Sequence, residues 1–210
     1  MKLAFIVDPL DGFKLEKDTT YAIMREAAAR GHALYALQQE DLAWHKAAVT
    51  GHAARMHLTG ETPHWSRLES PADTPLEQFD AVLMRKDPPF DMEYIYSTYL
   101  LEIAERRGAR VFNRPQAIRD FNEKMAIARF AEFTAPTLVT RRVDLLHAFL
   151  REHADIILKP LDGMGGASVF RVRNDDPNLN VIIETLTGDG QCTIMAQRYI
   201  PDISNGDKRV

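Results

Sequence analysis

Ile156-Ile-Leu-Lys159-Pro-Leu-Asp162-Gly-Met-Gly-Gly-Ala-Ser168-Val-Phe170 is an extended apolar run carrying one lysine, followed by a glycine-dense turn and the start of a second strand. Gly163, Gly165 and Gly166 have no Cβ, so backbone N–H groups can crowd a bound oxyanion there. Lys159 adds a full positive charge. Because Pro160 follows it, Lys159 is biased toward extended backbone, and a strand fixes where its side chain projects. The spacing is not the phosphate loop GxxxxGK[ST], since the lysine precedes the glycines and a strand follows them; nor is it GxGxxG. The expectation is a grip on phosphates. The bland alternative is a lysine snorkelling from a strand end beside a glycine hairpin.

Outward from this stretch, the chain reads as alternating strands and helices. Leu3 to Val7 is a short apolar run bounded by Asp8-Pro9 and Asp11-Gly12, which suits a buried strand of a parallel sheet. Asp18 caps a helix ending near Arg30-Gly31, with Tyr21, Met24, Ala27 and Ala28 at helical spacing, and Leu34 to Leu37 is a second strand. This β-α-β opening predicts an α/β fold. Residues 41–78 show little periodicity and read as loop-rich. Ala81 to Met84 is a strand, and Met92, Ile95, Tyr96, Tyr99, Leu100 and Ile103 form the apolar stripe of a long helix closed at Gly108. Val111 to Asn113 is another strand, and Arg114 to Asp120 reads as a connection. From there a helix from Asn122 to about Phe133, a strand at Thr137 to Thr140 and a helix at Asp144 to His153 lead into the opening stretch. A helix near Asn178 to Thr187 and a strand at Thr193 to Ile200 follow. A domain boundary is expected near residue 120.

Composition narrows the function classes. The chain has 210 residues, a formal charge of −4 and 45% hydrophobic content, ordinary globular values. No run of like charge suggests a nucleic-acid partner. The single cysteine, Cys192, can form no internal disulfide, no segment is long and apolar enough to span a membrane, and the amino terminus lacks a signal-peptide core. A cytoplasmic protein is expected. The seven histidines form no His-x-x-x-His or Cys/His array, so catalytic zinc is not predicted. Ser168 lies outside any GxSxG setting. The aromatic face at Tyr94, Tyr96 and Tyr99 reads as core. Arg85, Lys86, Asp87 and Asp91 surround two prolines just past a strand, a place where open α/β sheets bind ligands, and Asp8 and Asp11 follow the first strand. A zwitterion site and a solvated loop are both open there.

Taken together, Phe5-Ile-Val-Asp-Pro9, Val82-Leu-Met-Arg-Lys-Asp-Pro-Pro-Phe-Asp91, Asn122-Glu-Lys124, the opening stretch, Met195-Ala-Gln-Arg-Tyr-Ile-Pro201 and Asp207-Lys-Arg-Val210 resemble the bacterial glutathione synthetases, which are ATP-grasp ligases. The resemblance covers the whole chain. It implies a Rossmann-like, parallel-sheet substrate domain over residues 1–120. Residues 121–210 would be the small α+β lid lobe of an ATP-grasp domain, incomplete here. The implied reaction is ligation of γ-L-glutamyl-L-cysteine and glycine at the expense of ATP, through an acyl phosphate, with Mg²⁺ or Mn²⁺. Phosphorylation supplies the leaving group that a carboxylate lacks, and charge neutralisation carries most of the phosphoryl transfer.

By the same resemblance, Lys124 and Lys159 contact the nucleotide phosphates. Asp162, Gly163, Met164, Gly165, Gly166 and Ala167 form a lid over them. Gln197, Tyr199 and Ile200 line the adenine pocket, and Asp207 accepts ribose hydroxyls. Arg85 and, less directly, Arg209 are the substrate contacts. Metal ligands are expected beyond Val210, so these residues alone are expected to be inactive and to bind ATP weakly, with an unpaired sheet edge near Val210. A homotetramer is implied. The competing readings are an ATP-grasp ligase for another amino acid or peptide and a non-catalytic ATP-binding module.

Overall fold

The computed structural model describes residues 1–62 and 64–207, in two compact units, Met1–Asp120 and Phe121–Val210. The first unit is built on β1 (Lys2–Ile6), α1 (Thr19–Ala29) and β2 (Ala33–Leu37). Asp18 Oδ1 caps α1 by accepting from the Tyr21 N–H at 3.0 Å, and β1 and β2 pair in parallel. Next come β3 (Leu42–His45), β4 (Ala48–Leu58), β5 (Ser66–Leu68), β6 (Ala72–Pro75) and β7 (Ala81–Met84). The unit ends with α2 (Met92–Arg106), β8 (Val111–Phe112) and α3 (Pro115–Asp120). The sheet order is β3-β4-β2-β1-β7-β8, with β5 and β6 also pairing with β4.

β1 explains the layering. Its even and odd residues face opposite sides, and both sides are buried. Leu3, Phe5 and Val7 pack with Met24 and Ala27 of α1, whereas Ala4 and Ile6 pack with Tyr94, Leu101 and Ala104 of α2. The sheet is thus covered by α1 on one face and by α2, joined by Ile118 of α3, on the other. From β1 the chain builds outward through β2 on one side and β7 and β8 on the other, so the carboxyl ends of β1 and β7 lie at the point where strand order reverses.

Four readings of the sequence are corrected in this unit. The supposedly loop-rich residues 41–78 contain β3 to β6. β4 pairs through its first half with β3 and β6 and through its second half with β2 and β5. Where the pairing changes over, Ala53 and Ala54 are both buried, so the strand period slips by one residue and hides the signal. In α2 the buried face is Tyr94, Ser97, Thr98, Leu101 and Ala104, leaving Met92, Tyr96 and Tyr99 about half exposed at 53%, 52% and 48%. Ser97 and Thr98 can be buried because their hydroxyls donate to the carbonyls of Glu93 and Ile95. Tyr99 lies under the Arg119 guanidinium rather than in the core. Finally, the connection before Asp120 is α3, which starts on Pro115, a residue suited to a first helical position.

The second unit opens with a 3₁₀ segment, Met125–Phe133, in place of the expected α-helix; non-helical backbone at Phe130 interrupts it. It continues with β9 (Thr137–Thr140), α4 (Val143–His153), β10 (Asp155–Pro160), β11 (Phe170–Arg173), α5 (Leu179–Thr187) and β12 (Ile194–Arg198), then a 3₁₀ turn at Pro201–Asn205. The four strands form an antiparallel sheet in the order β11-β10-β12-β9. Alternation again sorts its faces. Ile156, Leu158, Val172, Ile194 and Ala196 pack with Leu146 and Leu150 of α4 and Ile183 of α5. Gly188, with φ 51°, closes α5 in the left-handed conformation.

Candidate functional site

On the other face of the second unit's sheet, the register places Lys159 of β10 opposite Met195, and Gln197 of β12 between Ile157 and Thr137. This face carries the polar groups because both helices cover the opposite one. Lys159 Nζ donates to Gln197 Oε1 at 2.6 Å, and Gln197 Nε2 donates to Thr137 Oγ1 at 2.9 Å. Lys159 is half-buried, and burial, followed by the nearby charge of Lys124, lowers its pKa from the ordinary lysine value. A desolvated ammonium beside a second ammonium is poised to accept an anion.

Lys124 reaches the same place from the preceding segment. Its Nζ donates to the Gly163 carbonyl at 3.2 Å and pairs with the Glu123 carboxylate. Asn122 holds this turn: Oδ1 accepts from the N–H groups of Lys124 and Met125, while Nδ2 donates to the Leu161 carbonyl at 3.4 Å. Between β10 and β11 the glycine loop is exposed apart from partly covered Gly163, and turns through Gly165 (φ 65°), Gly166 (φ 79°) and Ser168 (φ 56°). Two such residues in succession favour glycine, which has no Cβ to strain.

The other sequence-predicted residues are placed as follows. Lys124, Lys159, Gly163 and Gln197 come together. Tyr199 continues the face of Gln197, but the Arg171 guanidinium lies 3.6 Å from its ring centroid. Arg171 is in turn tied to Asp155 at 2.7 Å. Asp162, Met164, Ala167, Ile200 and Asp207 are exposed. Arg209 and Val210 lie outside the described residues. Thr137 and Asn122 carry contacts that sequence reasoning assigned no role. Thr137 could be suspected only from its being the polar member of β9 on the face shared with Gln197.

In the first unit, the carboxyl ends of β1 and β7 gather Asp8, Arg85, Lys86 and Asp87. Lys86 Nζ donates to Asp8 Oδ1 at 2.9 Å, and the Asp87 N–H donates to Asp8 Oδ2 at 2.7 Å. Arg85 Nε donates to the Thr20 hydroxyl at 3.0 Å, leaving its terminal nitrogens for other partners. Burial, then the neighbouring Asp8 carboxylate, raises the Asp87 pKa, and burial pushes the Tyr94 phenol up to about 12. A cavity of about 450 Å³ beside Asp8, Asp11 and Gln38 opens at this end of the sheet. Asp91 is a helix cap, accepting from the Tyr94 N–H at 2.9 Å. Among the described residues no three histidine, cysteine, aspartate or glutamate side chains gather as a metal site.

Residues 1–119 match the family model of the prokaryotic glutathione synthetase N-terminal domain, and residues 123–210 match that of the prokaryotic glutathione synthetase ATP-grasp domain. The chain belongs to the prokaryotic glutathione synthetase family. Its relatives in that family include the glutathione synthetases of Nitrosomonas europaea, 61% identical, and Ralstonia nicotianae, 60% identical. Each similarity covers 100% of this chain but only 67% and 65% of those proteins, so the chain spans about two thirds of their length. The glutathione synthetase of Pseudomonas aeruginosa is 50% identical over 210 residues. Among solved structures, D-cycloserine synthetase DcsG has TM-score 0.62 at 15% identity, covering 97% of this chain and 61% of that one. An ATP-grasp RimK domain protein from Sphaerobacter thermophilus has TM-score 0.60 at 21% identity, covering 96% of this chain and 65% of that one. With the match of residues 123–210 to an ATP-grasp domain model, these likenesses give the chain an ATP-grasp type of fold. No helix among the described residues is long and apolar enough to cross a membrane.

Proposed function

We propose that the protein ligates γ-L-glutamyl-L-cysteine to glycine, converting ATP to ADP and phosphate through an acyl phosphate on the cysteinyl carboxylate. The observation that carries this is the half-buried Lys159, held at 2.6 Å by Gln197 beside Lys124 and the glycine loop, in a chain of the glutathione synthetase family. Lys159 and Lys124 neutralise the phosphates, and their positioned charges stabilise negative charge as it moves to the leaving oxygen. The loop from Asp162 to Ala167 covers the phosphates with backbone N–H groups and keeps water from the acyl phosphate. Gln197, Tyr199 and Ile200 receive the adenine ring, and Asp207 the ribose. In the first unit, Arg85 binds a carboxylate of the dipeptide.

A divalent metal, Mg²⁺ or Mn²⁺, would supply additional phosphate neutralisation if bound. The described residues do not fit such a site, and none is assigned to the metal. A homotetramer in the cytoplasm completes the reading. The test is ADP release by the full-length protein. γ-Glutamylcysteine and glycine together should stimulate release, and Lys159→Met should lower kcat/KM for ATP by about 100-fold or more. No stimulation by the pair over either substrate alone would sink the glutathione reading.

A further inference from the structure

We propose that Thr137 is a positioning residue for base selection: its hydroxyl orients the Gln197 carboxamide so that Oε1 is presented to the 6-amino group of a purine nucleoside triphosphate. This rests on the placement of the base at Gln197 proposed above. The inference comes from how hydrogens are distributed along three side chains. Thr137 Oγ1 donates its one hydrogen to the Ala135 carbonyl at 2.7 Å, so only lone pairs remain for its other neighbour. Gln197, 2.9 Å away, must therefore turn Nε2 toward it as donor. At the other end of the same amide, the Lys159 ammonium has hydrogens only and requires an acceptor, which is Oε1 at 2.6 Å.

A flipped carboxamide would set Nε2 against the ammonium and Oε1 against the threonine lone pairs. Both ends reject the flip, so the network fixes an orientation that amide shape alone leaves open. The register makes the arrangement possible: Gln197 lies on β12 between β10, which carries Lys159, and β9, where Thr137 is its direct cross-strand neighbour. Oε1 keeps one lone pair beyond the bond to Lys159. An amino group at the purine 6-position can donate to it, whereas the oxo group of hypoxanthine or guanine brings an acceptor against an acceptor. Two acceptors held against each other with no hydrogen between them are the kind of mismatch by which polar sites discriminate strongly. Lys159 by itself fixes one end of the amide; Thr137 supplies the second anchor that prevents the plane from tilting away from the base.

The experiment measures kcat/KM for ATP and for ITP with the full-length protein and three variants. Thr137→Val keeps the shape and removes the hydroxyl, Thr137→Ser restores it, and Gln197→Met removes the amide. The expected result is a fall in the ATP-to-ITP ratio of roughly tenfold in Gln197→Met and of about three- to tenfold in Thr137→Val, with Thr137→Ser near wild type. If Gln197→Met lowers the ratio and Thr137→Val does not, the role of Thr137 is overturned and the base placement stands. If neither variant changes the ratio, the base placement fails and the inference with it. A change in Thr137→Val without one in Gln197→Met also overturns it, because the effect would not pass through the amide. Should Thr137→Val not fold, Thr137→Ala provides the same comparison.

Discussion

Lys159 was legible because two local features meet on it, an apolar strand and a run of glycines, and both are contiguous in sequence. Its bonding partners were not: Gln197, named only through the family resemblance and then for the base, lies 38 residues away, and Thr137 is a further register pairing across the sheet. Side-chain amide and hydroxyl partners have no sequence period, so only the fold reveals them. The environment of Lys159 makes its titration testable. Burial, then Lys124, disfavours its charged form, so it should deprotonate below the ordinary lysine value of 10.5. Replacing Lys124 with Met removes a like charge and should move the Lys159 midpoint upward. Titration of ¹³C-labelled lysine by NMR in the ligand-free protein would read this, and a midpoint unmoved by Lys124→Met would show the two ammonium groups do not interact. Asp155 gives the opposite case. Hydrogen bonding from Arg171 is the leading cause holding its pKa below the ordinary aspartate value of 3.8, with Arg173 a lesser contributor. The native carboxylate is thus favoured over the unfolded one. Its contribution to stability is complete above the unfolded pKa and is lost as pH falls through the lowered native value. Asp155→Asn should therefore be less stable than wild type at neutral pH, with the difference shrinking in acid. Urea melts at pH 7 and pH 2.5 measure this; a gap that persists undiminished at the lower pH would contradict the ion pair.

Elements announced by one uninterrupted pattern were readable, and those with a changed or mixed pattern were not. β9 and β7 occupy the residues expected of them because each is a short apolar run between clear breaks. β4 escaped notice because its alternation slips at Ala53-Ala54, and the face of α2 was misassigned because Ser97 and Thr98 are buried in place of larger apolar neighbours. The glycine loop allows a prediction about an element as a whole. A Cβ added at Gly166 would meet nothing within 4 Å, yet its φ of 79° is one that other residues rarely adopt. Gly166→Ala should therefore act through backbone strain of about 1–2 kcal/mol, not through a clash. Because the loop is exposed, that strain should shift the loop's conformations and leave the packed sheet intact. The expected outcome is an unchanged Tm with a KM for ATP raised about five- to twentyfold in the full-length protein. An unchanged KM would remove the loop's backbone from nucleotide binding.

At the scale of the molecule, each unit is organised by its own sheet, and burial is shared unequally between the faces of the second. Leu158, fully buried, stands on β10 between β11 and β12 and touches the cluster formed with α4 and α5. Truncating it to Ala deletes contacts to both helices at once and leaves a cavity that neighbours in regular strands can only partly close. The cost should be about 2–5 kcal/mol. The same strand carries Lys159 on its opposite face, so loosening the apolar side should also blur the position of the phosphate-side lysine. Leu158→Ala is therefore expected to reduce amide-exchange protection throughout β9, β10, β11 and β12, including Thr137–Thr140, and to raise the KM for ATP of the full-length protein. Hydrogen exchange read by mass spectrometry separates this from a local effect: if protection falls only within Asp155–Pro160 while β9 and β12 keep theirs, the sheet does not behave as one cooperative layer.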